Sequence, residues 1–349
     1  MSLDVVILVV AFALILGGAE LFTNAVEWFG HKLGLGEGAV GSVLAAVGTA
    51  LPETTIPIVA ILFTGGGSSD VGVGAILGAP FMLSTLALGV TGLVVVAARR
   101  RRAAGLELRV DRVVVRSDLL SFAPAYALAI GSAFLPIDPS WPKLLVAVVL
   151  VVLYGRYVKS HLQTDSIVDA EGLNPLRMRR LDRAVAHLGD DAPRLRIVNL
   201  QLLVGLVAII VGAVVFVDAV SDVARGMGLD EVLLALIVAP IATELPEAVN
   251  AVLWIRRGKD TLAIGNITGA MVFQASIATL AALVFAPHAW AFAPGTQLAF
   301  ASALVAFLST AAIFGPFLVG RVLGARRLLV GAGFYVAYLG VVAFAISGG

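Results

Sequence analysis

The 349-residue chain contains no cysteine, and only 13% of its residues are charged. The absence of cysteine excludes disulfide bonds, thiolate metal ligands and cysteine nucleophiles. The scarcity of charge excludes a soluble domain of this size, because its surface would need charged side chains to face water. A net charge of +1 gives no indication of a nucleic-acid partner. The composition therefore indicates a protein that lies largely within the lipid bilayer.

Apolar segments recur along almost the whole chain, in which 60% of the residues are hydrophobic and the mean hydropathy is +1.01. Uninterrupted apolar runs of about twenty residues are typical of transmembrane helices. The pattern predicts an all-α integral membrane protein. It has ten predicted transmembrane helices, at 3–29, 37–63, 71–98, 118–135, 141–160, 197–224, 230–256, 260–286, 296–320 and 327–347.

Lysine and arginine collect in alternate loops when these ten spans are threaded through a membrane. Those loops hold 22 of the 24 basic residues, and only Lys143 and Arg225 fall outside them. The positive-inside rule then places the basic loops in the cytoplasm and both termini outside it. We expect a multi-pass protein of the cell (inner) membrane, in contact with lipid and of unknown oligomeric state.

An internal repeat relates the two halves of the sequence. The segment Leu21–Glu53 aligns without gaps onto Val215–Glu247 at an offset of 194, with 11 identities in 33 pairs. Because five spans lie in each half, the second half crosses the membrane in the opposite sense. We therefore predict inverted five-helix repeats at 1–160 and 197–349, joined by a cytoplasmic linker at 161–196. Secondary transporters with this architecture bind their substrates between the repeats, near the bilayer midplane.

A glutamate lies in the middle of a predicted span in each half, and each one follows a proline. A carboxylate at this depth costs about 3 kcal/mol or more, so it needs a cavity, a partner, a proton or a cation. Each proline removes a backbone N–H and frees a carbonyl one turn back, and a threonine hydroxyl shares the face of each glutamate. Hard cations prefer such oxygen ligands. The candidate ion ligands are Glu53, Glu247, Thr49 and Thr243, with the carbonyls of Ala46, Gly48, Pro240 and Ala242.

A proline kink with a protonated, helix-bonded glutamate is the alternative for either motif alone. The repeat places the same proline–glutamate motif in both halves, and this match argues against the proline-kink alternative.

The motifs Gly48–Glu53 and Ala242–Glu247 are each followed by a glycine-containing helix, at Gly74–Ala79 and Gly265–Ala270. These features resemble the α-repeats of the cation/calcium exchanger superfamily, which includes the sodium/calcium exchangers. The resemblance covers the core of both halves. It implies a ten-helix antiporter without a cofactor, which exchanges Ca²⁺ or another cation for H⁺ or Na⁺. It also implies that the two motif glutamates are the central ligands, that the two threonines are oxygen donors, and that the first and sixth helices move.

The chain departs from the family pattern at the positions that usually carry serine, asparagine or aspartate. Those positions hold Ala50, Glu244, Ala79, Ala270, Leu83 and Gln274. The changes remove most of the side-chain oxygens of the flanking sodium sites in the first half. They leave Gln274 as a candidate ligand on the helix that follows the second motif.

Glu244 lies three residues before Glu247, so both carboxylates share one helix face. Together with Glu53 they put three acids around one site. Acids this close cannot all be ionised unless a cation lies between them; otherwise one of them holds a proton. We therefore predict that Glu244 is an ion ligand and part of a proton acceptor, with H⁺ as the coupling ion. Coupling to Na⁺, or a Glu244 that turns away toward Arg225, are the alternatives.

Other polar residues fall within or beside the spans. Asn24 and Asp218 are matched by the repeat, and Asp222 lies one turn beyond; they line an access path or are solvated helix ends. Asn250 and Asn266 are expected to form interhelical hydrogen bonds or to support Glu247.

Two glycine pairs, each spaced G-x-x-x-G, predict close helix packing in lipid. They are Gly74, Gly78, Gly265 and Gly269. The histidines fall at span ends or in loops, where we expect surface positions rather than ligands. They are His31, His161, His187 and His288.

Two other classes compete with an antiporter. A membrane-embedded metal enzyme would use Glu244 and Glu247, but the spans carry no histidine pair and no H-E-x-x-H motif. A channel or a transport-inactive relative would explain Leu83 and the missing serines, although no selectivity-filter sequence is present.

Overall fold

The computed structural model describes residues 2–50, 54, 69–138, 140–163, 173–181, 193–226, 244–293 and 296–347. This part of the chain is almost entirely helical, and its one β-bridge joins Glu107 to Gly324. The helices, including three π-helical segments, are α1 (Ser2–Lys32), π1 (Ala39–Ala45), α2 (Ala46–Thr49), α3 (Ser69–Met82), π2 (Leu83–Ala87), α4 (Leu88–Ala98), α5 (Arg112–Gly131), α6 (Trp141–Leu162), α7 (Leu195–Gly226), α8 (Leu245–Arg256), α9 (Asp260–Phe273), π3 (Gln274–Ala278), α10 (Thr279–Phe285), α11 (Gln297–Leu318) and α12 (Ala325–Ser347).

Eight helical stretches in the described part are long and apolar enough to cross a membrane. They coincide with eight of the ten predicted spans. The other two, 37–63 and 230–256, extend into residues outside the description. The prediction of an all-α membrane protein is confirmed, while the count of ten and the inverted repeat stay predictions.

The long helices α1 and α7 pack along each other, and their backbones approach closely at glycines. A Cβ atom added at Gly18 would lie 2.9 Å from the backbone nitrogen of Ile209. A Cβ atom added at Gly212 would lie 3.1 Å from the backbone nitrogen of Ile15. The offset of 194 that relates the two halves converts the first contact into the second. Glycine lets the two backbones approach this closely.

The remaining helices pair in a way that matches between the halves. The contact of α9 with π1 corresponds to that of α4 with α8, and the contact of α9 with α5 to that of α3 with α11. The contact of α10 with α6 corresponds to that of α4 with α12, and the contact of α5 with α6 to that of α11 with α12. Each half therefore places its motif-bearing segment against the other half.

Helix α5 begins six residues before the predicted span at 118–135. The side chain of Asp111 caps it by accepting a hydrogen bond from the backbone N–H of Val113 at 2.7 Å. The guanidinium of Arg112 donates to the carbonyl oxygens of Phe317 and Gly320, where α11 ends. Because of this early start, Asp118 lies in the second turn of the helix and inside the protein.

A tight turn joins α8 to α9. Gly258 has a φ of +73°, which favours glycine, and Lys259 N–H donates to the Trp254 carbonyl at 2.9 Å, closing the end of α8. Asp260 at the start of α9 accepts two hydrogen bonds from Arg102, at 2.7 and 2.8 Å. This buried, bidentate pair fixes the hairpin against the loop after α4.

Candidate cation-binding site

The two proline–glutamate motifs have the same local backbone geometry. Ala50 and Glu244, which are equivalent in the repeat, have φ, ψ angles of −79°, −1° and −78°, −4°. These ψ values depart by about 40° from those of a regular α-helix. Thr54 N–H donates to the Ala50 carbonyl and Ala248 N–H to the Glu244 carbonyl, both at 3.1 Å. The backbone is therefore irregular at matched positions, three residues before each glutamate.

The second motif brings two carboxylates into the protein interior. Glu244 lies at the start of α8 and Glu247 in its first turn, and their side chains are 3% and 0% exposed. The Oε2 atom of Glu244 has no hydrogen-bond partner among the described residues. Pro246 occupies the first turn of α8, where its missing N–H costs the helix nothing. Two buried acids one turn apart are the main electrostatic feature of this region.

The first half reaches this region through α2. The hydroxyl of Thr49 donates to the Ala45 carbonyl at 3.0 Å and lies 3.4 Å from Oδ1 of Asn266 on α9. The carbonyl of Ala46 accepts the N–H of Ala50 at 3.0 Å and lies 3.5 Å from Oγ1 of Thr49. The Phe22 ring of α1 packs against Gly48, where an added Cβ would lie 2.5 Å from Cζ. Glu53, Pro240, Ala242 and Thr243 lie outside the described residues.

Gln274 is fully buried at the first position of π3. Its repeat equivalent, Leu83, is the first residue of π2. Short π-helical segments inside α-helices are frequent at functional sites. Both halves therefore change helix geometry where the family usually carries an amide or acid. The sequence alone contains no signal for π-helix at either place.

Several polar atoms around α8 and α9 lack hydrogen-bond partners in the described structure. They are Oε2 of Glu244, both side-chain polar atoms of Asn250, Nδ2 of Asn266 and Oγ of Ser276. An unpaired buried polar group costs about 1–3 kcal/mol, so such atoms are rare in folded proteins. In the described ranges, which lack Glu53, no three His, Asp or Glu side chains cluster closely enough to hold a metal ion.

The glycine pairs differ in what they contact. A Cβ at Gly265 would lie 2.7 Å from Oγ of Ser42, and one at Gly269 would overlap the Ser42 carbonyl. At this point α9 lies directly on the backbone of π1. A Cβ at Gly78 would meet no described atom within 4 Å. Gly74 lies on α3, and its surroundings are outside the description.

The predicted access-path residues lie on the two central helices. Asn24 on α1 is buried; its Oδ1 accepts from Arg177 N–H and from Nε2 of Gln201, and its Nδ2 donates to the Asn174 carbonyl. In this conformation Asn24 holds the linker segment 173–181 against α1 and α7. Asp218 and Asp222 lie on α7, with side chains outside the description. The access-path role stays a prediction.

A buried polar network around Asp118 was missed by sequence reasoning. Its carboxylate accepts hydrogen bonds from Ser42, Thr268, Tyr157 and His161, at 2.9, 2.5, 3.1 and 2.8 Å. The network joins π1, α5, α6 and α9. The expectation that His161 is a surface residue is wrong, because its ring is 2% exposed and faces Asp118 from the last turn of α6.

An ion-pair cluster ties α1 to the α8–α9 turn. Buried Glu27 accepts hydrogen bonds from Lys259 and, at 2.9 Å, from the Trp254 indole. Glu20 accepts from Arg257 at 2.5 Å and from Arg177 of the linker at 2.6 Å. Glu20 and Glu27 of α1 are thus paired with basic residues near one end of the helix bundle.

The long apolar helices define a polytopic membrane protein. A family model for the sodium/calcium exchanger protein matches residues 3–159 and 198–347. The chain belongs to the sodium/calcium exchanger protein family, whose members are membrane transporters of cations rather than enzymes.

Individual relatives are distant. The chain is 25% identical to the inner membrane protein YrbG of Escherichia coli (strain K12) over 274 residues, which cover 78% of this chain and 77% of YrbG. It is 24% identical to the putative antiporter CaxA of Alkalimonas amylolytica, with 78% of each chain covered. A solved structure of the sodium-calcium exchanger NCX_Mj superimposes with a TM-score of 0.70 at 17% identity, covering 97% of this chain and 98% of that one. This likeness establishes the fold.

Proposed function

We propose that this protein is a secondary cation antiporter that exchanges Ca²⁺ or another cation for H⁺ or Na⁺ at a site built on Glu53 and Glu247. One observation carries the proposal. The backbone is irregular in the same way at Ala50 and Glu244, three residues before Glu53 and Glu247, and Glu247 is buried. Irregular backbone at membrane depth persists where it lines a polar cavity, and carbonyls and carboxylates together are ligands for hard cations.

The ligand set would combine both halves. Glu53, Thr49 and the carbonyls of Ala46 and Gly48 come from the first half. Glu247, Glu244, Thr243, Gln274 and the carbonyls of Pro240 and Ala242 come from the second. Packing of α2 against both α8 and α9 supports a shared site.

H⁺ is the proposed coupling ion. Glu244 stands where the first half has Ala50, and it is buried one turn from Glu247. Two such carboxylates ionise together only when a cation neutralises them, so arrival of the cation releases a proton and its departure takes one up. Na⁺ coupling is the alternative.

Alternating access would be carried by α1 and α7. Their backbones approach closely at Gly18 and Gly212, where no glycine side chain stands between the helices. The ion pairs of Glu20 and Glu27 with the α8–α9 turn would hold α1 in the present position. Movement to the opposite state would exchange these pairs for others.

Flux in proteoliposomes tests the proposal. Uptake of Ca²⁺, Na⁺ and K⁺ is compared under imposed H⁺ and Na⁺ gradients, with Glu53→Gln and Glu247→Gln as the variants. We expect gradient-driven uptake of one cation by the wild type and none by either variant. Equal leak of ions without exchange would indicate a channel, and no flux from a folded protein would indicate an inactive relative.

The Glu244→Gln variant tests the coupling ion separately. We expect it to retain cation binding and to lose at least tenfold of H⁺-driven uptake, because the amide takes no proton at this position. Undiminished H⁺-driven uptake would remove Glu244 from the mechanism, and exclusive dependence on a Na⁺ gradient would favour Na⁺ coupling.

A further inference from the structure

An apolar groove runs between α1, the π1–α2 segment and α7. It encloses about 550 Å³, and Asn199 is the one polar side chain among its eleven described lining residues. Phe29 and Asn199 lie at its outer end, where α1 ends and α7 begins, and Phe22 and Gly48 lie at its inner end. The groove therefore starts beside a polar residue and runs inward along α1 for about 10 Å.

The groove is open to the hydrocarbon region of the membrane. Leu203 of α7 is 56% exposed, and Leu206 is half-buried. Both belong to a helix that is apolar enough to cross a membrane. A hydrocarbon chain in the groove supplies the dispersion contacts that its apolar walls otherwise lack. A lipid acyl chain is therefore the occupant that suits these walls.

Two basic residues lie at one level beside the outer end. The glycine contacts of α1 and α7 make the two helices antiparallel, and a Cβ atom added at Gly205 would lie 2.7 Å from the backbone nitrogen of Phe22. Lys32 lies ten residues beyond Phe22 on α1, and Arg196 lies nine residues before Gly205 on α7. Because one helix advances as the other recedes, Lys32 and Arg196 reach nearly the same height in the bundle.

Both basic residues lie on the groove faces of their helices. Lys32 is three residues beyond Phe29, and Arg196 is three residues before Asn199, a spacing that puts the members of each pair on one helix face. Both basic residues are exposed, and neither has an ion-pair partner among the described residues. Their charges are therefore available to a ligand at the outer end of the groove.

The acids of α1 do not neutralise these two charges. Glu20 and Glu27 each precede a groove residue of α1 by two positions, so they lie about 200° around the helix from the groove. They pair there with Arg177 of the linker and with basic residues of the α8–α9 turn. The outer end of the groove thus presents two positive charges and the amide of Asn199.

We propose that this groove binds an anionic phospholipid, with one acyl chain between α1, α2 and α7 and its phosphate on Lys32 and Arg196. Arginine presents a planar set of donors that matches phosphate, and lysine adds a second positive charge. The amide of Asn199 supplies one more donor. A free phosphate ion would use the outer end alone, and a zwitterionic lipid would supply the chain without a net charge.

The inner end of the groove reaches the first motif. Gly48 borders the groove, and its neighbour Thr49 is a candidate ion ligand. The opposite walls are α1 and α7, the helices proposed to move during exchange. The lipid therefore contacts both parts that change position relative to each other in the proposed cycle, although its binding does not require that the protein catalyses exchange.

Thermal melting of the purified, delipidated protein in detergent tests the binding. We expect dioleoylphosphatidylglycerol to raise the Tm by about 3 °C or more, because a ligand of the folded state stabilises it. Equal concentrations of dioleoylphosphatidylcholine or inorganic phosphate should raise it by less than about 1 °C. The same rise with phosphatidylcholine would show that the charge is not recognised, and the same rise with inorganic phosphate would show that the chain is not. Either result overturns the proposal.

Charge variants locate the headgroup. Lys32→Gln/Arg196→Gln should lose the response to phosphatidylglycerol. Arg321→Gln/Arg326→Gln removes two exposed basic residues at the α11–α12 turn and should keep the response. Equal responses of the two double variants would reduce the effect to a general attraction between basic residues and anionic lipid, and the proposal would fail.

A tryptophan in the groove locates the acyl chain. Leu203→Trp places an indole in the groove and should abolish the response to phosphatidylglycerol. Leu200→Trp, at a position of α7 that is 42% exposed and does not line the groove, is the matched control and should keep it. A full response of Leu203→Trp overturns the placement of the chain.

Discussion

The replacement Asp118→Ala removes a carboxylate that four donors share inside the protein. Two of these donors have other acceptors. Thr268 also donates to the Ile264 carbonyl at 2.9 Å, and Tyr157 to the Ser42 carbonyl at 2.9 Å. The donors left without an acceptor are Oγ of Ser42 and Nε2 of His161. At about 1–3 kcal/mol for each stranded buried donor, the variant should lose about 2–6 kcal/mol of stability.

Unfolding of the purified protein in detergent, followed by tryptophan fluorescence, measures this loss. Asp138→Ala, at an exposed loop position, is the matched control and should change the stability by less than about 0.5 kcal/mol. The double variant Asp118→Ala/His161→Leu removes one stranded donor and should recover part of the loss, which makes the two changes non-additive. An Asp118→Ala protein as stable as the control would show that the network contributes nothing, and the reasoning would be wrong.

The remaining predictions concern packing and the ion pairs. Gly269→Ala should destabilise the protein by at least about 1–3 kcal/mol, because its methyl group overlaps the Ser42 carbonyl. As a control, Gly78→Ala places its methyl group within 4 Å of no described atom and should be neutral. Similar thermal melting of the two variants would contradict this. Lys259→Met should cost about 1–3 kcal/mol, because among the described residues buried Glu27 then keeps Trp254 and the more distant Arg257 as partners. Thermal melting in detergent measures this loss. If Lys259→Met melts like the wild type, the ion pair has no role in holding α1.

The helices could be predicted from the sequence because the bilayer demands a long apolar run for each span. Predicted ends such as 71–98 and 260–286 fall within two residues of the observed helices, Ser69 to Ala98 and Asp260 to Phe285. Helix α5 was predicted to begin too late, because Arg112 and Arg116 lower the local hydropathy. The helix nevertheless begins at Arg112, because Asp111 caps it and Arg112 hydrogen-bonds the end of α11, which is a tertiary contact.

The site was predictable only in part. The motifs singled out Glu247, Glu244 and Thr49 through their spacing and their repeat, and all three side chains are buried, while their role as ion ligands stays a prediction. The π-helical segments that begin at Leu83 and Gln274 could not be predicted, because no residue type at these positions marks a π-helix. The burial of His161 likewise depends on its partner Asp118, which is 43 residues away in the sequence and on another helix.

The position of a bound cation tests the central claim most directly. A structure of the protein determined in Ca²⁺ should place the ion within about 2.3–2.6 Å of carboxylate oxygens from both Glu53 and Glu247, the usual range for calcium. An ion bound elsewhere, or these two carboxyl groups too far apart to share one ion, would contradict the account.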